Sequence, residues 1–181
     1  MKLILIDGGP ASGKNTLGAL LVEQLRKDGN TVILLDLDTY VEKINPSWVW
    51  ENKKNEERDQ LQAREDFAAD IQKFLQKNYT IIVIGERFLT KQDIAAFVNR
   101  IKIPCFVNLF HLSVPIDLRR KRLVERGTHS LIDIKKDQKE RDAIALWPAY
   151  VYKNINSPEI DANNLAQLIH DLKGAIDRVE K

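Results

Sequence analysis

The stretch KLILIDGGPASGKNT, residues 2–16, constrains the fold more than any other part of the chain. A short apolar run of strand length leads into Gly8, Gly9 and Gly13, and a segment of helical period begins at Lys14. A strand that turns so abruptly into a helix needs glycine, because its backbone passes close to whatever the turn encloses. Gly8, Gly13 and Lys14 fit the spacing G-x-x-x-x-G-K, and strand, loop and helix stand in the order that gives this spacing meaning. Backbone N–H groups of residues 9–16 would then converge at the positive end of a helix, a cradle for phosphate to which Lys14 adds a point charge.

Downstream, apolar strand-sized runs alternate with helical periods, the arrangement of βαβ units and a parallel sheet. Strands are expected at 2–7, 31–38, 79–85 and 103–112, with a short fifth near 158–160. Helices are expected at 14–28, 56–77, 91–101, after Pro115, around 133–146 and at 163–180. Thr90 with Asp93 forms a capping box at the start of the middle helix. Residues 39–55, with Pro46 and two tryptophans, read as irregular. At 181 residues, one domain is expected over 1–181, with no repeat or linker.

Composition excludes more than it selects. Apolar residues at 44% and charged residues at 30% describe a globular chain, and no apolar run is long enough to cross a bilayer. The first apolar run reads as a strand and not as a targeting segment, so a cytoplasmic location is expected. A net charge of +2 does not call for a nucleic-acid partner, and none is expected except a polynucleotide end as acceptor. Cys105 lies in IPCFVNLF and reads as a strand residue; His111 and His129 lack neighbours at metal-ligand spacing.

Two further elements carry chemistry. DLDTY closes the second strand, where α/β sheets bind ligands, and strand alternation puts Asp36 and Asp38 on one side. One carboxylate can hold Mg²⁺ through water while the other orients an acceptor hydroxyl. DLRRKRLVERG, residues 117–127, puts Arg122 and Arg126 at i and i+4, with Arg119 one turn before Arg122, as a clamp for transferring phosphates.

Together GGPASGKNT, DLDTY, IIVIGERF and RLVER resemble the P-loop kinase superfamily, and most of all the small kinases grouped with zeta toxin, chloramphenicol phosphotransferase and the polynucleotide kinase domain. The resemblance spans nearly the whole chain, but only the first motif is highly specific. It implies a three-layer α/β fold of the P-loop NTPase type, with a five-stranded parallel sheet in order 2-3-1-4-5. ATP and Mg²⁺ would be the cofactors, bound by Gly8, Gly9, Pro10, Ala11, Ser12, Gly13, Lys14, Asn15 and Thr16. Asn15 stands where the usual pattern has Ser or Thr. Because several such kinases read G-K-G-T, the metal-binding hydroxyl is assigned to Thr16, and Glu86 would hold the ion through water. Asp38 matches the acceptor-activating Asp of that group, and Lys14, Arg122 and Arg126 complete the catalytic set.

The acceptor segment would span about 39–60 and the lid about 117–142, with Asp36, Tyr40, Trp48 and Arg87 toward the substrate. Arg141 falls where related kinases carry a second lid arginine, and Asp7 is expected to brace the loop backbone. The chain lacks the D-G-x-P-R string of nucleoside monophosphate kinases. The activity expected is transfer of the ATP γ-phosphoryl to a small-molecule hydroxyl. A nucleoside monophosphate kinase and a non-kinase P-loop ATPase or nucleotide-binding module are the alternatives. A GTPase fits poorly, since N-K-x-D and the D-x-x-G switch element are both missing.

Overall fold

In the computed structural model the described residues are 2–112, 114–127, 134–145 and 152–154. Strand β1 (Lys2–Gly8) leads through the glycine loop into α1 (Lys14–Lys27), followed by β2 (Val32–Asp36), α2 (Leu37–Ile44) and α3 (Lys53–Gln76). Strand β3 (Thr80–Ile84), α4 (Lys91–Ile101), β4 (Phe106–Leu112), α5 (Ile116–Glu125) and α6 (Ile134–Ala145) complete the main body. The strands are parallel, in order β2-β3-β1-β4, with the three-residue β5 (Tyr152–Asn154) alongside β4. Residues 152–154 stand before the segment expected as the fifth strand. Residues 158–160, the expected helix 163–180 and His129 lie outside the described residues.

The period of two along β1 explains the layers. Leu3 and Leu5 pack with Leu35, Val83 and Leu109 against Tyr40, Phe67, Ile71 and Phe97 from the helices of one face. Ile4 and Ile6 point the other way, packing with Ile82, Ile84 and Phe110 against Leu17, Leu21 and Leu25 of α1. A strand buried on both faces must be apolar throughout, which is why KLILI does not alternate.

Strand β2 is shorter than its apolar pattern suggests. Asp36 takes the N-cap position of α2, its carboxylate accepting the Asp38 N–H at 3.1 Å. Leu37 and Asp38 are therefore helical. This corrects the expectation that strand alternation relates the two acids: they are joined by a helix cap, and the first part of the segment expected to be irregular is α2. The capping box of α4 is present as expected, with Asp93 N–H on Thr90 Oγ1 at 3.2 Å and Thr90 N–H on Asp93 Oδ2 at 2.7 Å.

Gly85, just beyond β3, lets the start of α2 come this close. Its φ is 89°, and a Cβ there would lie 2.6 Å from Asp36 Oδ1 and 2.8 Å from Leu37 N. Gly85→Ala is expected to destabilise the fold by about 2–3 kcal/mol, from left-handed strain plus the collision. Urea unfolding with an unchanged m-value would show it.

Candidate functional site

The loop between β1 and α1 is the centre of the site. Gly13 takes the N-cap of α1 with φ 93°, and no side chain caps this helix, so its first N–H groups remain for a ligand. Lys14 folds back over the loop, donating to Gly8 O at 2.8 Å and Gly9 O at 3.2 Å. Its withdrawal from water pushes the ammonium pKa down, against the pull of Asp7, Asp38 and Asp36. Ser12 Oγ is buried without a hydrogen-bond partner among the described residues, and a Cβ on Gly8 would lie 2.5 Å from it. Gly9 has no room for a Cβ either, because Arg119 Nη1 occupies that space.

Asp7 anchors the loop from below. Fully buried, it accepts from the N–H groups of Gly8 at 2.5 Å and Phe88 at 3.2 Å, lies 3.3 Å from His111 Nδ1, and pairs with Arg87. Burial acts to raise its pKa, but the His111 hydrogen bond and the charge of Arg87 outweigh it, so the carboxylate stays below its ordinary value. The expectation that Asp7 braces backbone, and does not face the ligand, agrees with this geometry.

Asn15 proves to be a connector. Its amide donates to Asp36 Oδ2 at 3.1 Å, tying the start of α1 to the cap of α2. Thr16 is exposed in the first turn of α1, and a threonine hydroxyl is the kind of hard oxygen that Mg²⁺ takes as a ligand. The oxygens of Thr16, Asp36 and Asp38 are suitable donors for Mg²⁺. Among the described residues no group of three or more His, Cys, Asp or Glu forms a metal cluster of its own.

Beside the loop opens a cleft of about 480 Å³. Pro10 of the loop, Leu37, Asp38 and Val41 of α2, Trp48, Arg64 of α3, Glu86 and Arg87 after β3, Arg119 of α5, and Asp137 and Glu140 of α6 line it. Asp38 keeps an exposed edge, yet its carboxyl is pushed up to about 6. Partial withdrawal from water is the main cause, and the negative charge of Asp36 adds to it while Lys14 opposes it.

The other expected site residues fall in different places. Trp48 is exposed at the cleft, edge-to-face with Trp50 at 5.9 Å. Tyr40 turns into the core against Phe67, with its hydroxyl donating to Asp70 at 2.8 Å, so it packs α2 onto α3 and does not line the cleft. Glu86 is held by Arg64 through two hydrogen bonds, at 2.8 and 3.1 Å. Arg87 bridges Asp7 and Glu140. Arg122 Nη1 donates to Ala11 O at 3.1 Å, on the loop itself, whereas Arg126 is exposed at the C-cap of α5. Arg141 lies on α6. Cys105 is half-buried against the core, and burial pushes its thiol up, away from nucleophile character.

Sequence reasoning missed the partners of the arginines. Arg119 is 3% exposed and paired with Asp137, and Arg64 of α3 closes on Glu86. The buried Leu123 one turn along α5 was a usable signal that Arg119 sits on the inner face.

Sheet order, loop and cleft define a chain with the kinase-like P-loop nucleotide-binding fold. The comparisons agree. A family model described as "Chromatin associated protein KTI12" matches residues 1–88, from β1 to just past β3. No curated protein matches by sequence. Among solved structures, a protein from Chloroflexus aurantiacus J-10-fl proposed to be a kinase is similar at a TM-score of 0.63 and 17% identity, covering 97% of both chains. A sugar kinase from Janibacter sp. HTCC2649 follows at 0.59 and 16%, covering 98% of this chain and 95% of the other. The Mycobacterium tuberculosis APS kinase CysC, in complex with AMPPNP and APS, is similar at 0.58 and 11%, covering 97% of both.

Proposed function

We propose that the chain is an ATP-dependent kinase that transfers the γ-phosphoryl group to a hydroxyl of a small-molecule acceptor. The observation that carries this reading is Asp38, a carboxyl raised to about 6 at the wall of a cleft that adjoins the phosphate loop. A group poised near neutral pH beside a phosphate cradle suits a base that orients a hydroxyl in the in-line attack. Loop N–H groups and Lys14 stabilise the developing charge, and Arg122, which donates to Ala11 O on the loop, adds its positive charge there. Bound Mg²⁺, held by Thr16 and by a water on Glu86, would neutralise the phosphate oxygens. One domain, a lid around 117–142 and a cytoplasmic location belong to the same reading.

The test is acceptor-stimulated ADP release over a panel of nucleosides, nucleotides, sugars and aminoglycoside-like alcohols. A second reading, a nucleotide-binding module without a small acceptor, is favoured by the family match, which covers the loop half of the chain. Slow ATP turnover that no acceptor accelerates would select it.

The metal assignment has its own test. Thr16→Ala should lower Mg²⁺-ATP turnover about 10²-fold by removing a hard-oxygen ligand, and Asn15→Ala should act much less on the metal dependence. Turnover titrated against Mg²⁺ for both variants distinguishes them, and the reverse ranking would move the ligand to Asn15.

A further inference from the structure

The cleft contains arginines whose charge is already answered from within the chain. Helix α6 carries Asp137 and Glu140 at i and i+3, so both acids face the same way. Asp137 pairs with Arg119, and Glu140 lies 2.5 Å from Arg87 Nη2. Both arginines rest on the phosphate loop, Arg87 through Asp7 at its root and Arg119 against Gly9.

Arg119 is not simply a satisfied core pair. It is 3% exposed, its Nε donates to Val114 O at 3.1 Å and Nη2 meets Asp137, but Nη1 has no hydrogen-bond partner among the described residues. A buried guanidinium N–H left without an acceptor costs free energy, and Arg119 is one of the residues that line the cleft, with Nη1 turned inward against Gly9. A forked cation at such a place is suited to an anion that can take several N–H groups at once. An entering ligand must replace two carboxylates on two arginines. A dianion does this with charge balance, and a monoanion does not.

We propose that Arg87 and Arg119 form a subsite for a phosphate monoester group on the acceptor, which Asp137 and Glu140 occupy as an internal anion until the acceptor enters. This rests on the kinase reading for the identity of the ligand as acceptor. Entry of the phosphate frees the α6 carboxylates from the loop-side arginines, so binding and displacement of the helix are one event. Arg119 Nη1 then gains the acceptor atom it lacks.

The experiment uses the full chain loaded with Mg²⁺-AMPPNP, so that the phosphate loop is occupied, and titrates inorganic phosphate while tryptophan fluorescence is recorded. Trp48 at the cleft wall is the reporter. Binding of AMPPNP is measured first. If it does not bind, the kinase reading fails, and the phosphate titration is then run on Lys14→Ala to judge the subsite alone. The doubly substituted Asp137→Asn, Glu140→Gln chain is expected to bind phosphate at least about tenfold more tightly than the unsubstituted chain, and Arg119→Met in that background should abolish the gain. Acetate should show no such gain. Equal or weaker phosphate binding by the double variant would overturn the proposal. Should that variant not fold, hydrogen exchange on the unsubstituted chain decides: phosphate should speed exchange over residues 134–145, and unchanged or slower exchange there overturns it.

Discussion

Lys14→Ala is expected to lower acceptor-dependent ADP release by about 10³-fold or more and to weaken binding of Mg²⁺-ATP as well. The ammonium sits directly over the loop, within 2.8 Å of Gly8 O, and is drawn out of water. In such a setting a fixed charge aimed at developing phosphate charge is worth far more than at the surface, and loss of one such donor costs about 10²–10³ in rate. The variant should fold normally, because the two carbonyls it releases can be taken by water at the mouth of the loop. Steady-state kinetics with nucleotide affinity measured by calorimetry provide the check. Near-normal turnover would remove the loop from the reaction.

Asp38→Asn should have the next largest effect, about 10²–10⁴-fold on kcat with ATP affinity nearly unchanged. Asparagine keeps the shape and loses the basic oxygen. The pH profile sharpens the test. The unsubstituted chain needs Asp38 ionised, so kcat/KM should rise with pH through about 6 and level off above it, whereas the variant should lack that limb. Stability runs the other way. A carboxyl whose folded pKa lies above its unfolded value of 3.8 binds its proton more tightly in the folded state. Its contribution favours folding at low pH and is lost as pH rises from the unfolded value to about 6. Asp38→Asn removes a charge held beside Asp36, so its Tm at pH 7 should be higher than that of the unsubstituted chain. A variant less active and more stable is the signature of a residue kept for function against the fold's interest. A variant less stable and equally active would show that Asp38 serves α2 alone.

Lys14 and Asp38 differ in what marks them along the chain. Lys14 follows from a local string: the loop's geometry is written in adjacent glycines, and no distant residue is needed to recognise it. Asp38 follows a different strand, β2, and strand alternation does not describe its setting. Its relation to Asp36 is set by a helix cap, because Gly85 leaves space for α2 to begin at once. The periodicity of VILLDLD could not show this, since both a strand and the first turn of a helix accept apolar residues there.

What the sequence determined alone was what short range controls: a strand, a glycine loop and a helix at the N-terminus, with Lys14 opening that helix, apolar strands buried on both faces, and the capping box at Thr90. The tertiary structure decided the partners. Parallel pairing sets β3 beside β1, which brings Phe88 and Arg87 to Asp7 across 80 residues of chain. The same assembly turns Asn15 toward Asp36, closes Arg64 on Glu86, and lays the acids of α6 on Arg87 and Arg119. Charged residues on helices carry no local mark of which opposite charge they will meet. The choice is made by the packing of apolar faces, and that packing alone settled which arginines belong to the cleft.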